Sequence, residues 1–376
     1  MGSRDEYISR SIVLAILQGD RADSGFRFWH WLRKIFALYA LVLTRFRPDL
    51  FQRLRNNTWK ISEDDYKASF QGENPLIPKG DMGYSGSKVI VESPGLIYRL
   101  FTQTFFTTRD NKYLIKSVPR RFEHTFFRDD LLEPYVAHME SHPQSLLVRI
   151  TDFLAWKYHS LGGLLGLAPN YHLVMENLLH GQDEDSNWQT FDLKPMSYFF
   201  PERDIAGGKL ASQATKSKLA DEFNDRMCLS QSQADAFLES LEADTELLAR
   251  HNAVDYSLML VRIPRPSTIA VPTSDDNDPF RDPEPLDWRT GVPSQDGKWL
   301  YRALILDFFW AKHKVRAKLM TLLVDAWNLI DRKGPMSITT TAPEYRGRFL
   351  DMCREIVQVE GDGPESSTWR RSRSSS

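Results

Sequence analysis

The stretch T-T-R-D-N-K-Y-L-I-K, Thr107 to Lys116, decides the fold class. Its two arms favour extended backbone and Asp110-Asn111 between them is turn chemistry, so the segment predicts a β-hairpin that ends on a lysine. Leu100 to Thr107 lengthens the first arm, and Tyr113 to Val118 forms the second. Beyond the hairpin, Arg120 to Glu140 places Phe126, Phe127, Leu131, Leu132, Tyr135 and Met139 three to four residues apart, the period of a helix. A further strand pair is expected at Ser145 to Trp156 and Tyr171 to Leu179. Strands, helix, strands is the order of an α+β protein that begins on a sheet of hairpin-connected strands.

Working outward, the later half is more helical. Leu229 to His251 carries Ser230 at the N-cap position and Ala234, Phe237, Leu238, Leu241, Leu247 and Leu248 along one face. Leu300 to Asp307 is an apolar strand, Lys314 to Ile330 returns to helical period, and Arg332 to Pro343 is a loop. These shifts divide the chain into an N-terminal basic and aromatic helical segment (1–75), an N-lobe (76–180), a C-lobe (181–359) with a mobile Pro- and Asp-rich insertion (264–297), and a disordered Ser/Arg-rich tail (360–376). Residues 26–55 alternate aromatic or aliphatic side chains with Arg and Lys. Such a stretch fits a core-packing or dimer-forming helix, or else an anionic leaflet with Trp29 and Phe36 inserted and Arg27, Lys34 and Arg45 near headgroups.

Composition narrows the functional classes. The chain has 376 residues, and 48 Lys+Arg against 50 Asp+Glu leave a net charge of −2, so no global field favours nucleic acid. Two cysteines exclude a disulfide framework, nine histidines include no H-E-x-x-H spacing, and no apolar run approaches the roughly 18 residues of a spanning helix. A cytoplasmic protein is expected.

Six residues carry the candidate chemistry. Lys116 ends an apolar strand, from which an ammonium reaches nucleotide phosphates while its stem packs inside; a strand-edge lysine reaching water has the same appearance. Glu123, in the following helix, is the nearest carboxylate to orient it, or else a solvated helix-face residue. Asp192 and Lys194 in F-D-L-K lie two apart, so extended backbone points both the same way; they form either a phosphate or metal contact or a surface ion pair. Asp255 in V-D-Y-S-L-M is an acid within an apolar run, which burial disfavours without a partner or a task. Asp307 in L-I-L-D-F closes a buried strand, where it serves as a metal ligand or as a cap on a following helix.

Taken together these segments resemble the phosphatidylinositol phosphate kinase family. Thr107 to Val118 is similar to the family's strand ending in I-I-K-T, and Leu131 to Leu147 to its helix and N-P-x-S-L-L segment. Leu173 to Leu179 is similar to V-V-M-x-N-L-F, Phe191 to Lys194 to Y-D-L-K-G-S, Val254 to Met259 to M-D-Y-S-L-L, and Leu304 to Phe308 to I-I-D-x-L. Ala342 to Phe349 is similar to P-x-x-Y-x-x-R-F. The resemblance implies a bilobal lipid-kinase-like fold akin to SAICAR synthase, with an antiparallel N-lobe sheet and a mixed C-lobe. It implies an ATP- and Mg2+-dependent kinase acting on the inositol ring of a phosphatidylinositol phosphate, peripheral on a membrane. By that resemblance Lys116 and Lys194 contact phosphate, Asp255 handles the attacking hydroxyl, and Asp307 holds Mg2+. Arg332 and Lys333 of the loop 328–344 would meet the phosphorylated headgroup. Two departures point to the alternative of a catalytically weak pseudokinase that binds phosphoinositide or acts as a scaffold. Ser93-Pro94-Gly95 lacks the family's following K-S-G-S, and Pro195 replaces the glycine of D-L-K-G-S, which removes a backbone donor.

Overall fold

The computed structural model describes residues 3–18, 41–80, 104–157, 168–183, 186–195, 223–265, 286–311 and 341–359. Strands β1 (Leu43–Arg45), β2 (Leu76–Gly80), β3 (Phe105–Thr108), β4 (Tyr113–Ser117), β5 (Ile150–Trp156) and β6 (Tyr171–Glu176) form an antiparallel sheet in the order β1-β5-β6-β4-β3-β2. The hairpin β3–β4 forms where its residues predict. Asn111 takes φ +57°, a left-handed conformation that Asn tolerates, and Asp110 Oδ1 accepts hydrogen bonds from Thr108 Oγ1 at 2.6 Å and Lys112 N at 3.2 Å.

Further strands follow: β7 (Gln189–Leu193), β8 (Met227–Leu229), β9 (Ala253–Val254), β10 (Ser257–Pro264), β11 (Val292–Pro293), β12 (Trp299–Leu306), β13 (Trp310–Ala311) and β14 (Val357–Val359). The second sheet has the order β11-β12-β10-β7 and is antiparallel throughout, while β13 pairs with β9 and β14 runs parallel to β8. Helices are α1 (Ser3–Gln18), α2 (Pro48–Arg53), α3 (Glu63–Ala68), α4 (Arg121–Phe126), α5 (Leu132–Ser141), α6 (Gln231–Arg250) and α7 (Ala342–Glu355). The α+β class is as expected.

The helix expected over Arg120 to Glu140 is α4 and α5 joined by a wider π turn, Phe127–Leu131. Pro134 accounts for the widening: it has no N–H for the carbonyl of Asp130, and its ring clashes with that carbonyl in a regular α turn. The apolar stripe is intact across the irregularity, and Phe126, Phe127, Leu131, Leu132 and Tyr135 are buried. Ser230 caps α6 through a capping box with Gln233.

A short backbone seam joins the two sheets. Ile305 N donates to Leu146 O at 2.7 Å and Val148 N to Ile305 O at 3.1 Å, so residues 146–148 lie along β12. Arg289 reinforces this seam with hydrogen bonds to both Glu176 oxygens at 3.0 and 3.1 Å and to the carbonyls of Ser145 and Leu147, each at 2.7 Å. Asp244 of α6, fully buried, accepts from Ser145 Oγ at 2.7 Å and Leu146 N at 2.6 Å and pairs with His138 Nε2 at 2.6 Å. One apolar core runs through both sheets, from Phe105, Leu114 and Leu173 to Leu258 and Leu304. On the opposite face of the six-stranded sheet, Ile8, Ile12 and Ile16 of α1 cover Phe106, Ile115 and Val174.

The described part of the basic stretch is structural. Arg45, read from sequence as a headgroup contact, pairs with the fully buried Asp152 at 2.6 Å. Arg55, also fully buried, donates to Glu63 Oε1 at 2.6 Å and lies 4.3 Å from the centroid of the Tyr66 ring. Two buried guanidiniums are tolerable because each meets a carboxylate and an aromatic face. β1 therefore completes one edge of the sheet that β2 completes on the other, across the boundary read at residue 75. Residues 26–40, the centre of the insertion (266–285), the Lys- and Arg-rich run 312–318, Arg332, Lys333 and the tail lie outside the described residues. Among the described residues no helix is long and apolar enough to cross a membrane.

Arg289 is 8% exposed in its side chain, so Arg289→Met leaves Glu176 and two carbonyls short of a partner. The expected loss is about 3 kcal/mol of unfolding free energy, measured by urea denaturation. A loss below about 1 kcal/mol, the value of an ordinary surface pair, would show that the seam does not depend on this side chain.

Candidate active site

Three strand ends meet at one edge of the second sheet. Leu193, the last residue of β7, is in register with Leu258 of β10, and Ser257, the first residue of β10, is in register with Leu306, the last of β12. Lys194, Asp255 and Asp307 each lie just past those ends and so emerge together. The short pair β9–β13 ties the chain before Asp255 to the chain after Asp307. The seam at Ile305 then sets this edge against the first sheet, where Lys116 occupies β4 between Phe105 of β3 and Leu173 of β6.

The outcome is a cleft of about 210 Å3 lined by Lys116, Val118, Arg120, Glu123, Lys194, Asp255, Asp307, Phe309 and Trp310. Lys116 Nζ is hydrogen-bonded to Asp307 Oδ1. Lys194 Nζ donates to Asp255 Oδ1 at 2.9 Å. Both lysines bury their stems, with side chains 9% and 16% exposed, while Asp307 and Asp255 keep 47% and 42% open to the cleft. The acids are thus reachable from solvent even though low-dielectric protein surrounds them.

Backbone conformation singles out the same two acids. Asp255 has φ +67° and Asp307 φ +63°, in the left-handed region that only Gly, Asn and Asp enter without large cost. Such conformations persist where the surroundings over-determine them, and they concentrate at functional sites. Asp307 is followed by a turn in which Phe309 N donates to Asp307 O at 2.9 Å. No helix begins there, so the capping role is excluded.

Charges in the cleft act on one another. Burial alone would raise the Asp307 carboxyl, but the Lys116 ammonium, with a further contribution from Lys194, outweighs it and holds Asp307 below the ordinary carboxylate range. Burial likewise disfavours charged Lys194, yet Asp255, then Asp307 and more weakly Asp192 keep its ammonium above the usual lysine value. Asp192 acts on Lys194 through space and is not among the residues lining the cleft.

Glu123 differs from expectation. The carboxylate on Lys116 is Asp307, and Glu123 instead accepts from Arg120 Nη1 at 3.1 Å, sensing Lys116 only through space. The reason is geometric: Glu123 sits in the first turn of α4, one turn from Arg120, whereas Asp307 arrives directly opposite the end of β4. Burial, against the pull of Arg120 and Lys116, raises the Glu123 carboxyl above its ordinary value. Arg120, Phe309 and Trp310 also line the cleft without having been singled out from sequence. Their local signal was their position beside Lys116 and Asp307, and only the docking of the two sheets gives it meaning. Among the described residues no group of three or more His, Cys, Asp and Glu side chains gathers as a metal cage.

Comparison with known proteins bears on the same residues. The family model described as phosphatidylinositol-4-phosphate 5-kinase matches residues 100–278, a span that includes Lys116, Glu123, Asp192, Lys194 and Asp255 and ends before Asp307. A protein named probable phosphatidylinositol phosphate kinase from Dictyostelium discoideum is 26% identical over 218 residues, 57% of this chain and 26% of that protein. Phosphatidylinositol 4-phosphate 5-kinase of Plasmodium falciparum (isolate 3D7) is 26% identical over 227 residues, 59% of this chain and 12% of that protein. Phosphatidylinositol 4-phosphate 5-kinase-like protein 1 of Mus musculus is 24% identical over 210 residues, 56% of this chain and 46% of that protein. The matched segment spans less than half the length of each of these relatives.

The ion pairing has a titration signature. A carboxyl depressed in the folded state adds stability above its unfolded value of about 3.9 and loses that contribution as pH falls through the folded value. Followed by carboxyl-carbon NMR, Asp307 is expected to titrate below the ordinary range, and Lys116→Met is expected to move its midpoint upward because burial then acts with less opposition. A midpoint unaltered by that substitution would rule out Lys116 as the controlling charge.

Proposed function

We propose that the chain is a divergent member of the phosphatidylinositol phosphate kinase family and a phosphotransferase carrying the terminal phosphoryl group of ATP to an inositol-ring hydroxyl of a phosphatidylinositol phosphate. The observation that carries this reading is the convergence of Lys116, Lys194, Asp255 and Asp307 on one cleft from four distant segments. Two sheets joined by a seam, with the cleft beside it, support a bilobal lipid-kinase-like arrangement of an N-lobe and a C-lobe.

Phosphoryl transfer demands positioning and charge neutralisation more than covalent chemistry from the protein. In the free cleft each lysine is neutralised by an aspartate. On binding a nucleotide, Lys116 and Lys194 trade those aspartates for phosphate oxygens. Asp255 is thereby released to accept or orient the proton of the attacking hydroxyl, and Asp307 to serve as a cation ligand. Because one counter-charge replaces another, no partly buried ion is left bare. Asp192, acting through space on Lys194, sustains its charge through the exchange.

The donor set fits Mg2+: hard carboxylate oxygens that are half open to the cleft, with too few protein ligands to form a cage, so phosphate oxygens and water would complete the shell. Asp307 would hold the ion, which supplies neutralisation of the charge on the transferring phosphate. The lipid side of the reading places Arg332 and Lys333 on the headgroup and the chain peripherally on an anionic cytoplasmic leaflet, as a monomer or homodimer.

One observation favours the second reading, a phosphoinositide-binding pseudokinase. Pro195 stands directly after Lys194, without an amide to offer a phosphate beside a cleft whose lysines are already neutralised. Transfer of radiolabelled phosphate from ATP to mixed phosphoinositide vesicles separates the two, with soluble inositol phosphates as competing acceptors. Wild type should label the lipid, and Asp307→Asn and Lys194→Met should each lower kcat by about 100-fold or more. Tight vesicle binding without labelled product would favour the scaffold.

A further inference from the structure

Arg120 lines the cleft but has no part in the exchange described above. It is the residue just before α4, four positions beyond Lys116, and half of its side chain is exposed. Its guanidinium carbon lies 5.9 Å from the centroid of the Trp310 ring, which forms the wall of the same cleft and is itself braced edge-on by Phe122 at 4.5 Å. The stacking limits where the guanidinium can swing while leaving its charge in the cleft.

Its counter-charge is weakly engaged. Nη1 makes one hydrogen bond to Glu123 Oε1, and the other guanidinium donors make none among the described residues. The second Glu123 oxygen is buried and likewise has no hydrogen-bond partner among them. A fork-to-fork pairing would satisfy both oxygens and engage two donors, yet it is not made. Arg120 is therefore held near Glu123 by a single contact, with unused donors on a half-exposed planar group.

The other two cations of the cleft must release an aspartate with a duty of its own before they can take a phosphate. Arg120 need release only Glu123. We propose that Arg120 is the third phosphate-binding residue of this site, held by Glu123 until a nucleotide enters, and that it makes the cleft select polyphosphates over monophosphates. This rests on the nucleotide reading of the cleft. It adds a residue that none of the segments carrying the family resemblance contains, and it supplies in side-chain form donors that Pro195 cannot supply as backbone.

The test is isothermal titration of the full chain with ATP, ADP and AMP in the presence of Mg2+, for wild type, Arg120→Gln and Arg120→Lys. Wild type is expected to bind ATP and ADP more tightly than AMP. Arg120→Gln should weaken ATP by about 10-fold or more, as loss of a charge-assisted contact does, with AMP within about twofold of wild type. Arg120→Lys should recover part of the ATP affinity through charge without the planar fork. An ATP affinity in Arg120→Gln equal to wild type overturns the proposal and leaves the nucleotide reading standing. Equal weakening of ATP and AMP in a variant with unchanged thermal melting also overturns it, because Arg120 would then be shaping the wall with Trp310. Wild type that binds none of the three nucleotides removes the nucleotide reading, and this proposal with it. Should Arg120→Gln not fold, Arg120→Lys decides alone: a ratio of ATP to AMP affinity equal to that of wild type overturns the proposal.

Discussion

The backbone seam between residues 146–148 and Ile305 is the constraint on which the site depends. It is two hydrogen bonds long, but it joins a strand of one sheet to a segment that runs straight into another, two residues before Asp307. A slip of one residue there would turn Ile305 out of the core and carry Asp307 away from Lys116, because strand side chains alternate with a period of two. Arg289 and Asp244 prevent the slip from two sides. Arg289 fills the carbonyls of Ser145 and Leu147, and Asp244 accepts the amide of Leu146, so the segment's polar groups are satisfied in only one register.

The cost of these buried charges decides how they are arranged. Arg289 meets Glu176, Asp244 meets His138 and two donors, and Arg45 and Arg55 surround Asp152. Each set is nearly closed to water and pairs opposite charges, as ions must once they have lost solvation. The cleft follows the opposite rule. Its lysines are buried but its aspartates are half open, and both aspartates sit in left-handed backbone that a packed framework must hold in place. The framework's ion pairs are closed to solvent and those of the cleft are open on their acidic side.

Much of the secondary structure was legible in the residues. Asp110-Asn111 announced a hairpin by turn chemistry, Ser230 announced a helix start by capping, and Leu300 to Asp307 read as a buried strand by its unbroken apolar run. These are local signals, set within a few residues of where they act. The π turn before Pro134 was legible in principle, since proline's missing donor is a local fact, but its form depended on keeping Phe126, Phe127 and Leu131 on one buried face. Arg45 misled because alternating aromatic and basic residues describe a membrane helix and a sheet edge packed on a buried acid equally well. Asp152, more than 100 positions away, decides between them.

By itself the sequence determined which residue types were available and in what order: a lysine at a strand end, acids at the ends of apolar runs, a proline directly after Lys194. Those are consequences of covalent chemistry and short-range propensity, and they needed no fold. Tertiary structure alone decided the pairing. Lys116 chose Asp307 over Glu123 because two sheets dock edge to edge, and Arg120 entered the cleft because α4 starts at that junction. Contacts between residues 191 positions apart follow from strand register and core packing, both of which are properties of the whole chain.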